Sequence, residues 1–435
     1  MTYDFGGLTR VFARITRTNL SNTLGKQRTK MPQKIFPKIS KNTPYHSSCH
    51  LSIFYSAFFA SYTFFASFGA TFFARFCISL VRFCLLCLDI LGLRLASLIR
   101  SWRKILCFLV AILAFVDFAL ALDKDATRLI QTYRTQGIEK TATLLEQYLQ
   151  RKDFWASVLQ DKDTDFGYFE GYEYLFVSNK SAPNLSLYKI TNGNLRLIKQ
   201  LSALVGKGKG DKRVQGDLTT PIGAYDFTGK LTGLPQYYGP LAYATDYPNN
   251  YDKALKRTGG GIWIHGLPLD GNREELNTRG CIAIDNTVLS DFGKMVDYKK
   301  AMLITYEGEL AKPSKDDLAT LLAALYQWRE AWKKNNLNAY LAFYHKDFMR
   351  IDGSKLNAFK AQKKQVFAKQ EQKDIILSNI SVVPYPNDEK RVMFRVSFQQ
   401  DYKAYKNGKI SYSSNHYKIL YVSYENGKMQ ILTER

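Results

Sequence analysis

The sequence predicts an α+β chain, and three observations carry that prediction. Residues 122–162 repeat apolar side chains at helical spacing. Residues 163–310 change to short strand-type runs broken by turn residues. Residues 313–435 place helices first and four strand runs after them. A chain of 435 residues has room for two or three domains with real cores.

The chain opens with a leader, residues 1–101. Its first fifty or so residues are basic and polar, show no helical or strand period, and read as disordered. The remainder is rich in Phe, Ala and Leu, with Arg75, Arg82, Arg94 and Arg100 scattered through it. Leu51 to Ala74 is long enough to span a bilayer, which takes roughly 20 apolar residues. Residues 102–121 then follow the grammar of a secretory signal peptide: Arg103-Lys104, an apolar run from Ile105 to Phe118, and the A-x-A site Ala119-Leu120-Ala121. Signal peptides start at a chain terminus, so residues 1–101 are expected to be an over-extended gene start, with Leu122 as the mature N-terminus. A real membrane-inserted extension is the alternative. Either way the expected location is the periplasm, with attachment to the inner membrane if the leader is kept.

Charge and cysteines narrow the function. The net charge is +23, and about half of it lies before Leu122, where 15 Lys/Arg face 3 Asp/Glu. A basic body suits an anionic polymer; no nucleic-acid motif is present, so an anionic wall polymer or simple solubility is the better reading. Cys49, Cys77, Cys84, Cys87 and Cys107 all lie in the leader region and signal peptide. Cys84 and Cys87 have C-x-x-C spacing, but they sit among Phe and Leu without a second pair, so they read as membrane or untranslated sequence rather than a metal or redox site. Removal of these segments leaves Cys281 as the sole thiol. No cofactor motif or metal-ligand pattern is apparent, because the histidines after Leu122 stand far apart.

Along the mature chain, Leu129, Ile130 and Tyr133 precede Gly137, and Leu144, Leu145, Tyr148 and Leu149 resume at helical spacing before Trp155, Val158 and Leu159. This two- or three-helix unit serves as a homodimerisation piece or as a cover for one edge of the next domain; the sequence leaves both open. Tyr174–Val177, Leu185–Ile190, Leu195–Ile198 and Leu303–Tyr306 read as strands, and Asn192-Gly193 as a hairpin turn. Several short strands suggest a β-rich sandwich or barrel-like domain. Gly206-Lys207-Gly208-Lys209-Gly210 lacks P-loop spacing and is expected to be a mobile loop. After Pro313-Ser314, one apolar face (Leu318, Leu321, Leu322, Leu325, Trp328, Trp332) marks a long helix. Two further helices are expected over 339–348 and 356–367. Strands follow over 375–383, 391–402, 410–422 and 429–433, with hairpin turns at Asn407-Gly408 and Asn426-Gly427. His345 and His416 are expected to be ordinary fold residues rather than pocket ligands.

The chemistry gathers between Ile264 and Asn286. Gly259-Gly260-Gly261 leads into the strand-type run Ile262-Trp263-Ile264, which ends at His265-Gly266. Thr278-Arg279-Gly280-Cys281 leads into a second run, Ile282-Ala283-Ile284. A thiol becomes a competent nucleophile when an imidazole takes its proton, and two strands ending side by side would present such a pair. Trp263 is expected in the core.

These residues resemble the L,D-transpeptidase catalytic domain, the YkuD fold. That family's signature pairs H-G with S/T-x-G-C, here His265-Gly266 and Thr278 to Cys281, and its T-P-x-G segment is matched by Thr220-Pro221-Ile222-Gly223. Many members carry Arg or Asn two residues after the cysteine, where this chain has Ala283. The whole resembles the L,D-carboxypeptidase branch that sets cell shape in helical and curved bacteria. Residues 313–435 resemble the nuclear transport factor 2-like cone fold, which alone says little about function. The resemblance implies that Cys281 attacks a peptidoglycan stem peptide, that His265 moves the proton, and that the Gly266 carbonyl orients the imidazole. It also implies that backbone N–H groups near Gly280 and Cys281 hold the oxyanion, with Thr278 in the same site; Arg279 is either the partner of a substrate carboxylate or a surface charge. Ala283 and the appended domain favour water over a second stem as acceptor, giving a carboxypeptidase. A crosslinking transpeptidase and a non-catalytic wall-binding scaffold are the alternatives.

Overall fold

The computed structural model describes residues 125–272 and 276–434. The leader, the signal peptide and the cysteines other than Cys281 lie outside the described residues. No helix among the described residues is long and apolar enough to cross a membrane.

The N-terminal unit comprises a helical stretch, α1 (residues 125–149), and α2 (Lys152–Leu159). Gly137 interrupts α1 with a φ of +79°, a conformation glycine adopts without a Cβ clash. Of the apolar positions before that break, Ile130 and Tyr133 are exposed. Of the later ones Leu145 is also exposed, and the rest dock. Trp155 stacks on Tyr326 at 5.5 Å, and Leu159 is fully buried in the core of the C-terminal domain. Glu146 adds ion pairs to Arg329 and Lys333. The cover therefore lies on the C-terminal helix rather than on an edge of the domain that follows in sequence.

The middle segment is an eight-stranded sheet in the order β4-β3-β2-β9-β5-β6-β7-β8. Its strands are β2 (Tyr174–Asn179), β3 (Asn184–Thr191), β4 (Asn194–Ser202), β5 (Gly223–Leu231), β6 (Ala242–Thr245), β7 (Trp263–His265), β8 (Ile282–Ala283) and β9 (Ala301–Tyr306). The pairs β2–β9 and β7–β8 are parallel and the rest antiparallel. Just beyond β4, Leu204 exchanges two 2.8 Å hydrogen bonds with Ala283, which bends the sheet round on itself. Phe176, Phe227, Tyr243, Phe292 and Leu303 fill the interior. A short helix, α3 (Asn250–Ala254), precedes β7. After β8, α4 (Asn286–Met295) delivers Leu289 and Phe292 to the same core.

The C-terminal domain stacks α5 (Lys315–Lys333), α6 (Leu337–Leu341) and α7 (Leu356–Ala368) against an antiparallel sheet, β10 (Gln372–Pro384), β11 (Met393–Lys406), β12 (Lys409–Glu425) and β13 (Lys428–Glu434). The expected face of α5 is buried throughout. The predicted helix over 339–348 stops at Leu341, because the backbone then turns to pair with β13: Ile431 donates to the Phe343 carbonyl and His345 donates to that of Ile431. His345 is buried and accepts from the Asp347 N–H, and His416 is exposed on β12.

One strand crosses the sequence order. β1 (Tyr168–Phe169) pairs with β10 and completes the C-terminal sheet. A shared core then joins the two sheets, with Leu175, Ala224, Met302 and Ile304 from one side packing on Tyr385, Met393, Tyr421 and Leu432 from the other. Within that contact the fully buried Arg395 forms an ion pair with Asp226, and Asn249 donates to the Tyr385 hydroxyl.

Candidate active site

The site forms where β7 and β8 run parallel. Ile264 pairs with Ile282, and His265 with Ala283. Cys281 immediately precedes β8, so His265 closes one strand of this pair and Cys281 leads into the other. The second half of the expected arrangement is direct: His265 Nδ1 lies 2.6 Å from the Gly266 carbonyl oxygen. A carbonyl only accepts, so Nδ1 carries the proton and Nε2 is the basic nitrogen. The imidazole is buried, with 2% exposure, and Tyr238 packs edge-to-face against it at 5.2 Å. Trp263, expected in the core, is half-buried and packs on the same Tyr238 ring.

Cys281 is partly exposed, and its sulfur donates to the Gly261 carbonyl at 3.3 Å. Gly261 has a φ of +67°, a conformation glycine adopts without a Cβ clash. Gly280 is held more tightly: its φ is +126°, and a Cβ there would lie 2.9 Å from the Thr219 carbonyl oxygen and 3.1 Å from Ile262 Cδ1.

Two expected roles need correction. Thr278 does not line a substrate pocket. It is buried, and its hydroxyl donates to the Cys281 carbonyl at 2.6 Å while accepting from the Gly280 N–H at 3.1 Å. The same bond occupies the Gly280 N–H, which removes it as an oxyanion donor. Thr278 and Gly280 instead shape the turn that presents the cysteine. Arg279 points outward and is exposed beside that turn.

The loop at 206–210 is also not loose. Gly206 donates to Thr220 Oγ1 at 2.8 Å, Gly208 to the Leu218 carbonyl at 3.0 Å, and Lys207 to the Thr278 carbonyl at 3.3 Å. It is stitched between the T-P segment and the cysteine turn. Asp217 anchors that segment by accepting from Lys212 Nζ and from the N–H groups of Arg213, Val214 and Thr219. Partial burial pushes its carboxyl up, but these donors outweigh it and bring the pKa to about 2.

Ala283 is buried and pairs with His265, leaving only a methyl group at that position. A cleft of about 380 Å³ opens elsewhere, between the two sheets, lined by Tyr172, Asp226, Lys299, Gln399 and Tyr417. Neither His265 nor Cys281 lines it, so it is not the site of the chemistry.

With this geometry in hand, comparison with known proteins is decisive. The YkuD L,D-transpeptidase catalytic domain matches residues 173–304, and the Cds6 C-terminal NTF2-like domain matches residues 320–435. The helical cell shape determining protein Pgp2 from Campylobacter jejuni is 41% identical, with a TM-score of 0.61 over 66% of this chain and 99% of Pgp2. The chain belongs to the YkuD L,D-transpeptidase family. A single-residue mutant of Pgp2 aligns equally well, at 40% identity and a TM-score of 0.62 over the same shares of the two chains. Bd1075 of Bdellovibrio bacteriovorus shares the fold at 23% identity and a TM-score of 0.50, over 62% of this chain and 96% of its own. Comparison with curated protein sequences returns no match. As a YkuD protein with an NTF2-like domain, the chain is an L,D-transpeptidase-type enzyme of peptidoglycan stem peptides.

Proposed function

We propose that this YkuD protein is a periplasmic L,D-carboxypeptidase that uses Cys281 to trim tetrapeptide stems to tripeptides, and that it acts in cell shape. The observation that carries the catalytic part is the Nδ1–H bond of His265 to the Gly266 carbonyl, with Cys281 leading into the strand that pairs with that of His265. That bond selects the tautomer whose Nε2 can accept a proton. The family resemblance to Pgp2, a helical cell shape determining protein, supports the role in shape.

In this mechanism the Cys281 thiol gives its proton to His265 Nε2 as its sulfur attacks the carbonyl carbon of the diaminoacid L-centre. The tetrahedral oxyanion is held by backbone N–H groups, of which that of Cys281 is the candidate in this turn. Collapse breaks the C–N bond, and the imidazolium returns the proton to the leaving D-alanine amine. Water then attacks the thioester with His265 again as base, and the tripeptide carboxylate and the thiol are released. Ala283 supports water as acceptor, because a methyl group offers nothing to bind the side chain of an incoming stem.

Incubation of the mature protein with purified muropeptides tests the proposal. Free D-alanine with tripeptide product is the expected result. Dimeric muropeptide would replace hydrolysis by crosslinking, and unchanged substrate would overturn the enzymatic reading in favour of a scaffold.

A further inference from the structure

We infer that Asn286 is a positioning residue of the dyad, acting on His265 through a single peptide group. The group that orients the imidazole is the Gly266 carbonyl, and its peptide unit continues into the Leu267 N–H. Asn286 Oδ1 accepts from that N–H at 2.9 Å, and Asn286 Nδ2 donates to the Leu267 carbonyl at 3.0 Å. A peptide unit is planar and stiff, so holding its N–H fixes the direction of its C=O. The chain of bonds therefore runs from Asn286 Oδ1 to the Leu267 N–H, across the peptide, and from the Gly266 C=O to His265 Nδ1–H. Hydrogen bonds in series polarise one another, so the Asn286 contact also makes the Gly266 carbonyl a better acceptor.

The surroundings are built to admit this amide. A Cβ on Gly266 would lie 2.1 Å from Asn286 Oδ1, and one on Gly239 would lie 2.5 Å from the same atom. Two glycines thus leave the space the amide fills. Neighbouring backbone groups hold the rest: Gly266 donates to the Tyr238 carbonyl at 2.9 Å, and Ile284 donates to the His265 carbonyl at 2.9 Å. Asn286 is also free of capping duty, because Asp285 caps α4 through the Val288 N–H. Its amide is thereby left to the histidine loop.

The inference rests on the proposed dyad, and the test separates the two. Long-range proton–nitrogen NMR of His265 reads the tautomer without substrate, and muropeptide turnover reads the chemistry. In the mature wild-type protein neutral His265 is expected in the Nδ1–H form. Asn286→Ala is expected to populate the Nε2–H form and to lower kcat by about 10- to 100-fold, with KM changed less than about threefold. Asn286→Asp keeps an acceptor for the Leu267 N–H, so it is expected to retain the Nδ1–H form and to exceed the alanine variant in kcat by about tenfold or more. A folded Asn286→Ala protein with wild-type tautomer and kcat overturns the inference. So does a folded Asn286→Asp protein that loses both, and this second variant decides the matter if the first does not fold. Wild-type protein that shows the expected tautomer but turns over no stem peptide would overturn the dyad's proposed function and leave the Asn286 relay standing.

Discussion

At the scale of residues, three side-chain positions make separable predictions. Cys281→Ala is expected to abolish turnover with the melting temperature unchanged, since the thiol is partly exposed and fills no core. His265→Ala is expected to reduce kcat by about 10²–10⁴-fold, the usual worth of a positioned general base. Gly280→Ala combines a φ of +126° with a Cβ 2.9 Å from a backbone oxygen. It should destabilise by about 1–3 kcal/mol and impair turnover, read by thermal melts and muropeptide assay together. His265, Gly266 and Cys281 stood out as candidates in the sequence because reactive residue types lay beside glycines in one short stretch. The work of Thr278 was not legible there, since whether a hydroxyl faces a substrate or staples its own turn depends on the turn's geometry. Asn286 closed the same stretch, yet nothing in its spacing showed that its amide would reach back to Leu267.

At the scale of elements, the hairpins were the easiest to foresee. Asn192-Gly193, Asn407-Gly408 and Asn426-Gly427 all take positive φ at both positions, as a two-residue primed turn requires. Strands β5 and β6 escaped notice because G-A-Y-D-F-T-G-K-L and A-Y-A-T mix small and polar residues without clean alternation. The overlong helix over 339–348 had a physical cause as well. Tyr340, Tyr344 and Phe348 recur every four residues, but the latter two reach the core from a turn paired to β13. Helix α4 sets Asn286 against the histidine loop, so its start matters. Asp285→Ala removes the N-cap and should cost about 1 kcal/mol. Chemical denaturation reads that loss, and kcat should fall with it only if α4 shifts.

At the scale of the whole molecule, the catalytic sheet and the C-terminal domain form one buried contact. Asp226→Ala would strand the fully buried Arg395 without its carboxylate, and should cost about 3–5 kcal/mol in denaturant unfolding. The same region makes stability depend on pH. Burial, reinforced by the neighbouring Asp226 charge, raises Asp246 far above the ordinary carboxylate range, and burial pushes Asp252 up to about 7 against the pull of Arg257. Between the unfolded value of about 4 and these raised values the native state holds protons that the unfolded chain has released. Stability should therefore fall as pH rises through that window. Asp246→Asn keeps an acceptor for the Asp226 N–H. Its melting temperature should gain on that of the wild type steadily as pH rises from about 5 to about 8, whereas a constant difference would assign the pH dependence elsewhere. None of this was legible in the sequence, because Arg395 stands far from Asp226 and Asp246 in the chain and all three are ordinary in type.

The covalent route is tested most directly by rapid acid quench of the mature protein with a tetrapeptide muropeptide, followed by peptide mass spectrometry. The account predicts an adduct equal to the stem less D-alanine on the peptide carrying Cys281, absent from Cys281→Ala. Tripeptide formed at the wild-type rate by Cys281→Ala would contradict it.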